Sequence, residues 1–349
     1  MQSQTKNQAK SFTISKHFTA YSIALSLGCI LLTAGGWLFA YVWHWQNRPH
    51  VLEIYCFIPD PSSAGDIAMF IRTPEGKTAL IDGGKSEAII HDLTSVMPFY
   101  DRTIDTLILT NDDDSHATGL VSVLGRYSVG QIFEMAVPEN IKISQLIATS
   151  SAYDEFENIL GGNVIHEKVG GGDTMNIGEL SAKIIFPPAS STADFTFSKT
   201  NAPTLAFSLT YGSTTLFFGG LITKKEQKYI AAAMESSSII DSAISSSTIL
   251  ILSKGENVSA VDEVFFSALH PNIVVISKKP RPVTAKSTTS VPTIVTTTTT
   301  KTGKIKKPPK PAKPPFDIST MPDISITNLA VDGDVEFISS GSTFVEKNI

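Results

Sequence analysis

Residues 108–120 read Ile108-Leu109-Thr110-Asn111-Asp112-Asp113-Asp114-Ser115-His116-Ala117-Thr118-Gly119-Leu120. An apolar run, 106–109, reads as a buried strand, and it delivers a loop carrying three carboxylates and one imidazole. Gly119 then opens an apolar pattern at helical spacing over 120–127. A strand, a ligand-rich loop and a helix start together are a common way to build a metal site. Asp112, Asp113, Asp114 and His116 are therefore the candidate ligands, with Asp113 and His116 as candidate catalytic residues. The competing reading is a solvated acidic loop that caps the next helix. An isolated His is more often a hydrogen-bonded structural residue than a ligand.

The stretch resembles the metal loop of the metallo-β-lactamase fold. It is similar above all to the soluble C-terminal domain of ComEC-type DNA-uptake proteins, whose strand runs into Leu-Thr-His-Pro-Asp-x-Asp-His-x-x-Gly-Leu. Thr110, Asp113, His116, Gly119 and Leu120 agree with that pattern. Further in-order likenesses are Ala64-Gly65-Asp66-Ile67-Ala68, then Thr73-Pro74-Glu75-Gly76 through Asp82-Gly83-Gly84, and Gly172-Asp173-Thr174 through Pro187-Pro188. Asn201 with Thr204-Leu205 and Tyr211-Gly212 continues them. They cover residues 51–277, plus a last hairpin near 324–339. The resemblance implies an α/β (α+β) fold, an αββα metallo-β-lactamase-like sandwich, here behind an N-terminal transmembrane helix.

The same resemblance implies a ligand set that this chain lacks in part. Asn111 stands for the first His and Ser115 for the second Asp. Leu216-Phe217-Phe218-Gly219-Gly220 puts Gly220 where the family bridges its metals with Asp, and Ser253 and Lys254 replace a His pair. An ammonium donates hydrogen bonds and repels a dication. Zinc takes about three or four His, Cys or carboxylate ligands, and two-metal hydrolysis needs two such sites about 3.5–4 Å apart. The expectation is a domain without a resident cofactor. The alternative is a weakly held divalent cation on carboxylates and water, as hard cations accept. Asp82 is expected to hold its turn by side-chain to backbone bonding. Lys254, with Glu256, is expected to pair with the 112–114 acids. His91, His166 and His270 carry no motif.

The ends of the chain differ from its middle. Residues 1–18 form a polar tail, and 19–45 are apolar and long enough to span a bilayer. Trp37, Tyr41, Trp43 and Trp45 crowd the C-terminal end of that segment like an interfacial belt, with Lys6, Lys10 and Lys16 before it. This predicts a cell-membrane protein with a single-pass signal anchor, a cytoplasmic N-terminus and an extracytoplasmic domain. A cleaved signal peptide is the rival reading. The two cysteines, Cys29 and Cys56, sit in different contexts and imply no disulfide framework.

Residues 278–316 read as a Lys/Pro/Thr-rich disordered insertion within a domain formed by 51–277 and 317–345. Residues 51–277 hold 13 basic and 27 acidic side chains, net −14, whereas 278–315 hold nine Lys, one Arg and no acid. Phosphate contacts need Lys and Arg. A polyanion partner (DNA, anionic lipid or an acidic cell-wall polymer) is therefore expected on Lys301, Lys304, Lys306, Lys307, Lys310 and Lys313. Three functions stay open: a ComEC-like scaffold or binding module without hydrolysis, a metal-dependent phosphodiesterase or nuclease with rearranged ligands, and a polyanion-binding surface protein.

Overall fold

The computed structural model describes residues 2–46, 50–59, 67–136, 151–160, 164–188, 204–236, 246–253, 261–277 and 316–349. Two compact units emerge, Met1–His50 and Val51–Ile349. The first is one helix, α1 (Gln2–Gln46). Its stretch Tyr21–Trp43, of 23 residues and mean hydropathy 2.0, is long and apolar enough to cross a membrane. At about 1.5 Å per residue this covers a hydrocarbon core of about 30 Å. The hydroxyls of Ser26 and Thr33 donate to the carbonyls of Ser22 and Ile30, which satisfies them without water.

The second unit is built on two sheets. The first has eight strands: β1 (Leu52–Phe57), β2 (Ala68–Arg72), β3 (Thr78–Ile81), β4 (Thr103–Leu109), β5 (Ser128–Met135) and β6 (Ile165–Val169), with β14 (Val335–Ser339) and β15 (Phe344–Asn348) beyond β1. The second has seven: β7 (Thr174–Ile177), β8 (Leu180–Phe186), β9 (Ala206–Tyr211), β10 (Thr214–Gly220), β11 (Ser247–Leu252), β12 (Ile273–Ile276) and β13 (Ser325–Asn328). β3 to β6 pair in parallel, as do β10 to β13.

Alternation along the strands produces the layers, because successive side chains face opposite sides of a sheet. Ile54, Cys56, Met69, Ile71, Ile81 and Ile108 face the gap between the sheets and meet Ile184, Phe207, Phe218 and Ile251 there. Their neighbours Tyr55, Phe57, Phe70, Leu80, Leu107 and Leu109 face outward. Three helices cover that face: α2 (Ile89–Val96), α3 (Asp114–Leu124) and α4 (Ser151–Leu160), through Leu93, Leu120 and Phe156. On the other side α5 (Lys224–Ser236) and α6 (Glu263–Leu269) bury Ile230 and Phe265 against Phe217 and Leu250. Helix, sheet, sheet, helix is the αββα sandwich, and two packed sheets with outer helices is one way to bury both faces of each.

Several expectations need correction. The helix after the acidic stretch begins at Asp114 rather than at 120, so Gly119 lies inside it. Asp113 caps it, accepting from the Ser115 amide, and that local bond stabilises the earlier start. The strands within 324–339 are not a hairpin. β13 extends the second sheet in parallel beside β12, a short helix, α7 (Leu329–Asp332), intervenes, and the closing hairpin is β14 with β15. Phe316, assigned to the insertion, packs its ring 5.6 Å from that of Phe266. Residues 278–315, with all six candidate polyanion lysines, lie outside the described residues, as do Lys254, Glu256, Asn201 and 64–66.

One cost is built into the outer face of the first sheet. Burial, followed by the Asp334 carboxylate, pushes Asp92 up to about 6. Asp334 is itself raised by burial. The folded state therefore holds this proton more tightly than the unfolded chain, and its contribution to stability declines as pH rises from about 4 to 6. Asp92→Asn is expected to raise Tm at pH 7 and to reduce that decline, as measured by thermal unfolding across this range.

Candidate functional site

The parallel strands of both sheets end on one edge, where β3, β4 and β10 to β12 are followed by Asp82, Thr110-Asn111, Ser253 and Ser277. Asp82 is the anchor. It sits in left-handed backbone at φ +57 and is 1% exposed. One carboxylate oxygen accepts from the Thr110 amide at 2.9 Å and the other from the Thr110 hydroxyl at 2.6 Å. Its own amide donates to Ile108. The expected bond within the turn is therefore a clamp between the ends of β3 and β4. Burial pushes Asp82 up to about 6, against the pull of His116 and the two Thr110 bonds.

The next turn locks onto α3. Gly83 donates to the His116 carbonyl and Gly119 to that of Gly84, both at 3.0 Å. A Cβ on Gly119 would come 1.9 Å from the Gly83 oxygen, and one on Gly83 would come 2.4 Å from the Leu120 nitrogen. Turn and helix thus touch backbone to backbone, a contact only glycine permits at both positions. The Thr110 carbonyl accepts from Leu205, which ties this edge to the second sheet.

The four candidate ligands are neighbours in sequence but diverge in space. The half-exposed Asp113 turns to His116, with Oδ1 to Nδ1 at 2.6 Å, and also accepts from the Ser115 hydroxyl at 2.5 Å. The imidazole is buried, and its Nε2 lies 3.9 Å from Asp82. Asp114 turns away and accepts from the Ala152 amide at the start of α4. Asp112 faces a pocket it shares with Glu134, Tyr153 and Lys168. Burial raises its pKa, with Asp113 and Glu134 adding to the effect. Asn111 is buried and accepts from the Asp113 amide.

This donor set does not fit a two-metal centre. At bond lengths of about 2.1 Å, a cation between the Asp82 oxygen and His116 Nε2 would see them roughly 140° apart, far from tetrahedral. The opposite side offers no strong donor among the described residues. Gly220 follows a bulge in β10 at φ +54, and a Cβ there would stand 2.7 Å from the Thr204 hydroxyl. The hydroxyls of Thr204, Ser253 and Ser277 are buried and lack a hydrogen-bond partner among the described residues. Neutral hydroxyls are weak substitutes for the His and Asp that zinc prefers.

A different group does converge. Glu134 on β5, Glu157 on α4 and His166 on β6 each place a donor atom within 4.8 Å of the others. Sequence reading passed over all three, since the cluster needs the β5–β6 pairing and a helix from elsewhere in the chain.

No protein-family model matches the sequence, and no curated protein does. Among solved structures the chain is similar to CmlA, a diiron beta-hydroxylase from Streptomyces venezuelae, at 14% identity and a TM-score of 0.40, over 66% of this chain and 45% of that one. It is also similar to the metallo-beta-lactamase fold protein YhfI from Bacillus subtilis, at 11% identity and 0.38, over 65% and 85%. A third is Tm1679, a metal-dependent hydrolase of the beta-lactamase superfamily, at 10% and 0.40, over 65% and 87%. The chain thus spans less than half of the CmlA chain. At these identities no residue role transfers, and the fold rests on the topology described above.

Gly119→Ala is expected to destabilise the domain by about 3 kcal/mol, the upper range for overpacking a tight contact. Gly125→Ala, whose Cβ would meet nothing closer than 3.6 Å, is the control and should change stability little. Denaturant unfolding of both variants measures the difference.

Proposed function

We propose that this chain is a membrane-anchored binding or scaffolding module of the cell envelope. Its metallo-β-lactamase-like sandwich would not perform two-metal hydrolysis. The observation that carries this reading is the Asp113–His116 pair, with Asp82 bonded to Thr110 rather than to a His. The groups that would bind metal bind each other instead. Gly220, Ser253 and Ser115 leave the remaining ligand positions without carboxylate or imidazole.

The span Tyr21–Trp43 supplies the anchor in this reading, with the N-terminus cytoplasmic. The basic 278–315 segment supplies the contact for a polyanion, of which DNA is the one suggested by the ComEC-like sequence pattern. Such contacts release counterions, so affinity would fall steeply with salt. The acidic body, net −14 over residues 51–277, is ill suited to that task.

Full-length protein in detergent tests both halves. With zinc, manganese or magnesium, hydrolysis of a phosphodiester and of a β-lactam should not exceed background. Metal-dependent turnover that disappears in Asp113→Ala or His116→Ala would reverse the reading. Deleting residues 278–315 should abolish salt-sensitive DNA binding while leaving the thermal transition in place.

A further inference from the structure

We propose that Glu134, Glu157 and His166 form a zinc-class divalent-cation site on the outer face of the first sheet, separate from the edge where the fold's usual metals would lie.

The placement follows from strand and helix geometry. β5 and β6 run parallel with Ile132 opposite His166 and Glu134 opposite Lys168. Residues two apart share a face, so Glu134, His166 and Lys168 all stand on the outer side. α4 packs there through Phe156. Tyr153 and Glu157, four apart on α4, share one helix face. The Tyr153 hydroxyl lies 2.8 Å from Glu157 Oε1 and 3.2 Å from Glu134 Oε2, bridging the two carboxylates. The two carboxylates raise the phenol's pKa further, after burial.

Two observations point to a cation here. First, the Glu134 side chain is 4% exposed, yet its surroundings add a second carboxylate, Glu157, and a third, Asp112, on the same pocket. A buried carboxylate is stable when paired. Among the described residues Lys168, itself 58% exposed on a flexible stem, is its one ammonium partner, beside the neutral Tyr153 hydroxyl. Second, His166 Nε2 is shielded from solvent and lacks a hydrogen-bond partner among the described residues, although it lies 3.1 Å from Glu134 Oε2. An N–H aimed at that oxygen would bond to it. A nitrogen lone pair aimed beside it fits two ligands of one ion. With bonds of about 2.0–2.1 Å, donors 3.1 Å apart subtend roughly 100° at the metal, close to tetrahedral. The third donor, on Glu157, lies within the same 4.8 Å cluster.

The donor types select the ion. An imidazole with two carboxylates suits zinc better than magnesium or calcium, which prefer oxygen only. Three protein ligands leave positions for water. The adjoining shallow pocket, lined also by Leu109, Asn111 and Met135, gives those positions access to solvent. On this proposal Lys168 competes with the ion and gives way when it binds.

The site is independent of the reading of the strand-end edge, and the test separates them. Metal-stripped full-length protein in detergent is titrated with zinc, and bound zinc is counted by elemental analysis after gel filtration. One zinc per chain is expected. His166→Asn and Glu134→Gln should each weaken binding at least tenfold, Lys168→Met should tighten it several-fold, and Asp113→Ala with His116→Ala should leave it unchanged. Should Glu134→Gln fail to fold, His166→Asn decides, because its side chain is 23% exposed. Absence of bound zinc in the wild type, wild-type affinity in His166→Asn, or equal binding of magnesium would overturn the proposal.

Discussion

The Asp82 carboxylate holds the Thr110 amide and hydroxyl in a space closed to water, and the rest of the strand-end edge is arranged around that pair. It sets where β4 ends relative to β3. It places Gly83 and Gly84 against α3, and through the Thr110 carbonyl it links the first sheet to Leu205 of the second. Removing one partner of a buried charged hydrogen bond costs more than the bond contributes, since the other partner is left unsatisfied. Asp82 already carries a raised pKa from burial, and the neighbouring His116 imidazole together with its two Thr110 bonds limits that rise.

At this edge the candidate ligands bond to one another and to the backbone. Asp113 serves twice: as the cap of α3 and as the partner of the His116 imidazole. Gly220 stands in left-handed backbone with the Thr204 hydroxyl where a side chain would go, so any larger residue there would be strained. These hydrogen bonds stabilise the loop by themselves.

How far the chain could be read from its sequence follows from which interactions are local. β10 and β11 are nearly continuous apolar runs, and Pro74-Glu75-Gly76 marks a turn, so strands and the β2–β3 hairpin were legible. The cap at Asp113 was legible only as an alternative, because Asp-Asp-Asp reads equally as loop and helix start. β13 was misread because its partner, β12, lies across an insertion of 38 residues, 278–315, and nothing in Ser325-Ile326-Thr327-Asn328 reveals a parallel neighbour. The Glu134 cluster was not legible at all. His166 looks isolated until β6 is set beside β5 and α4 is laid over both.

In this structure His116 is held by the Asp113 carboxylate and not by metal. The most direct measurement is an imidazole nitrogen NMR spectrum of the full-length protein in detergent during a zinc titration, with His116 assigned from its Asn variant. The account predicts a protonated Nδ1 on His116, bonded to Asp113, whose resonance stays in place throughout. Movement of either His116 nitrogen to a metal-bound shift would contradict it.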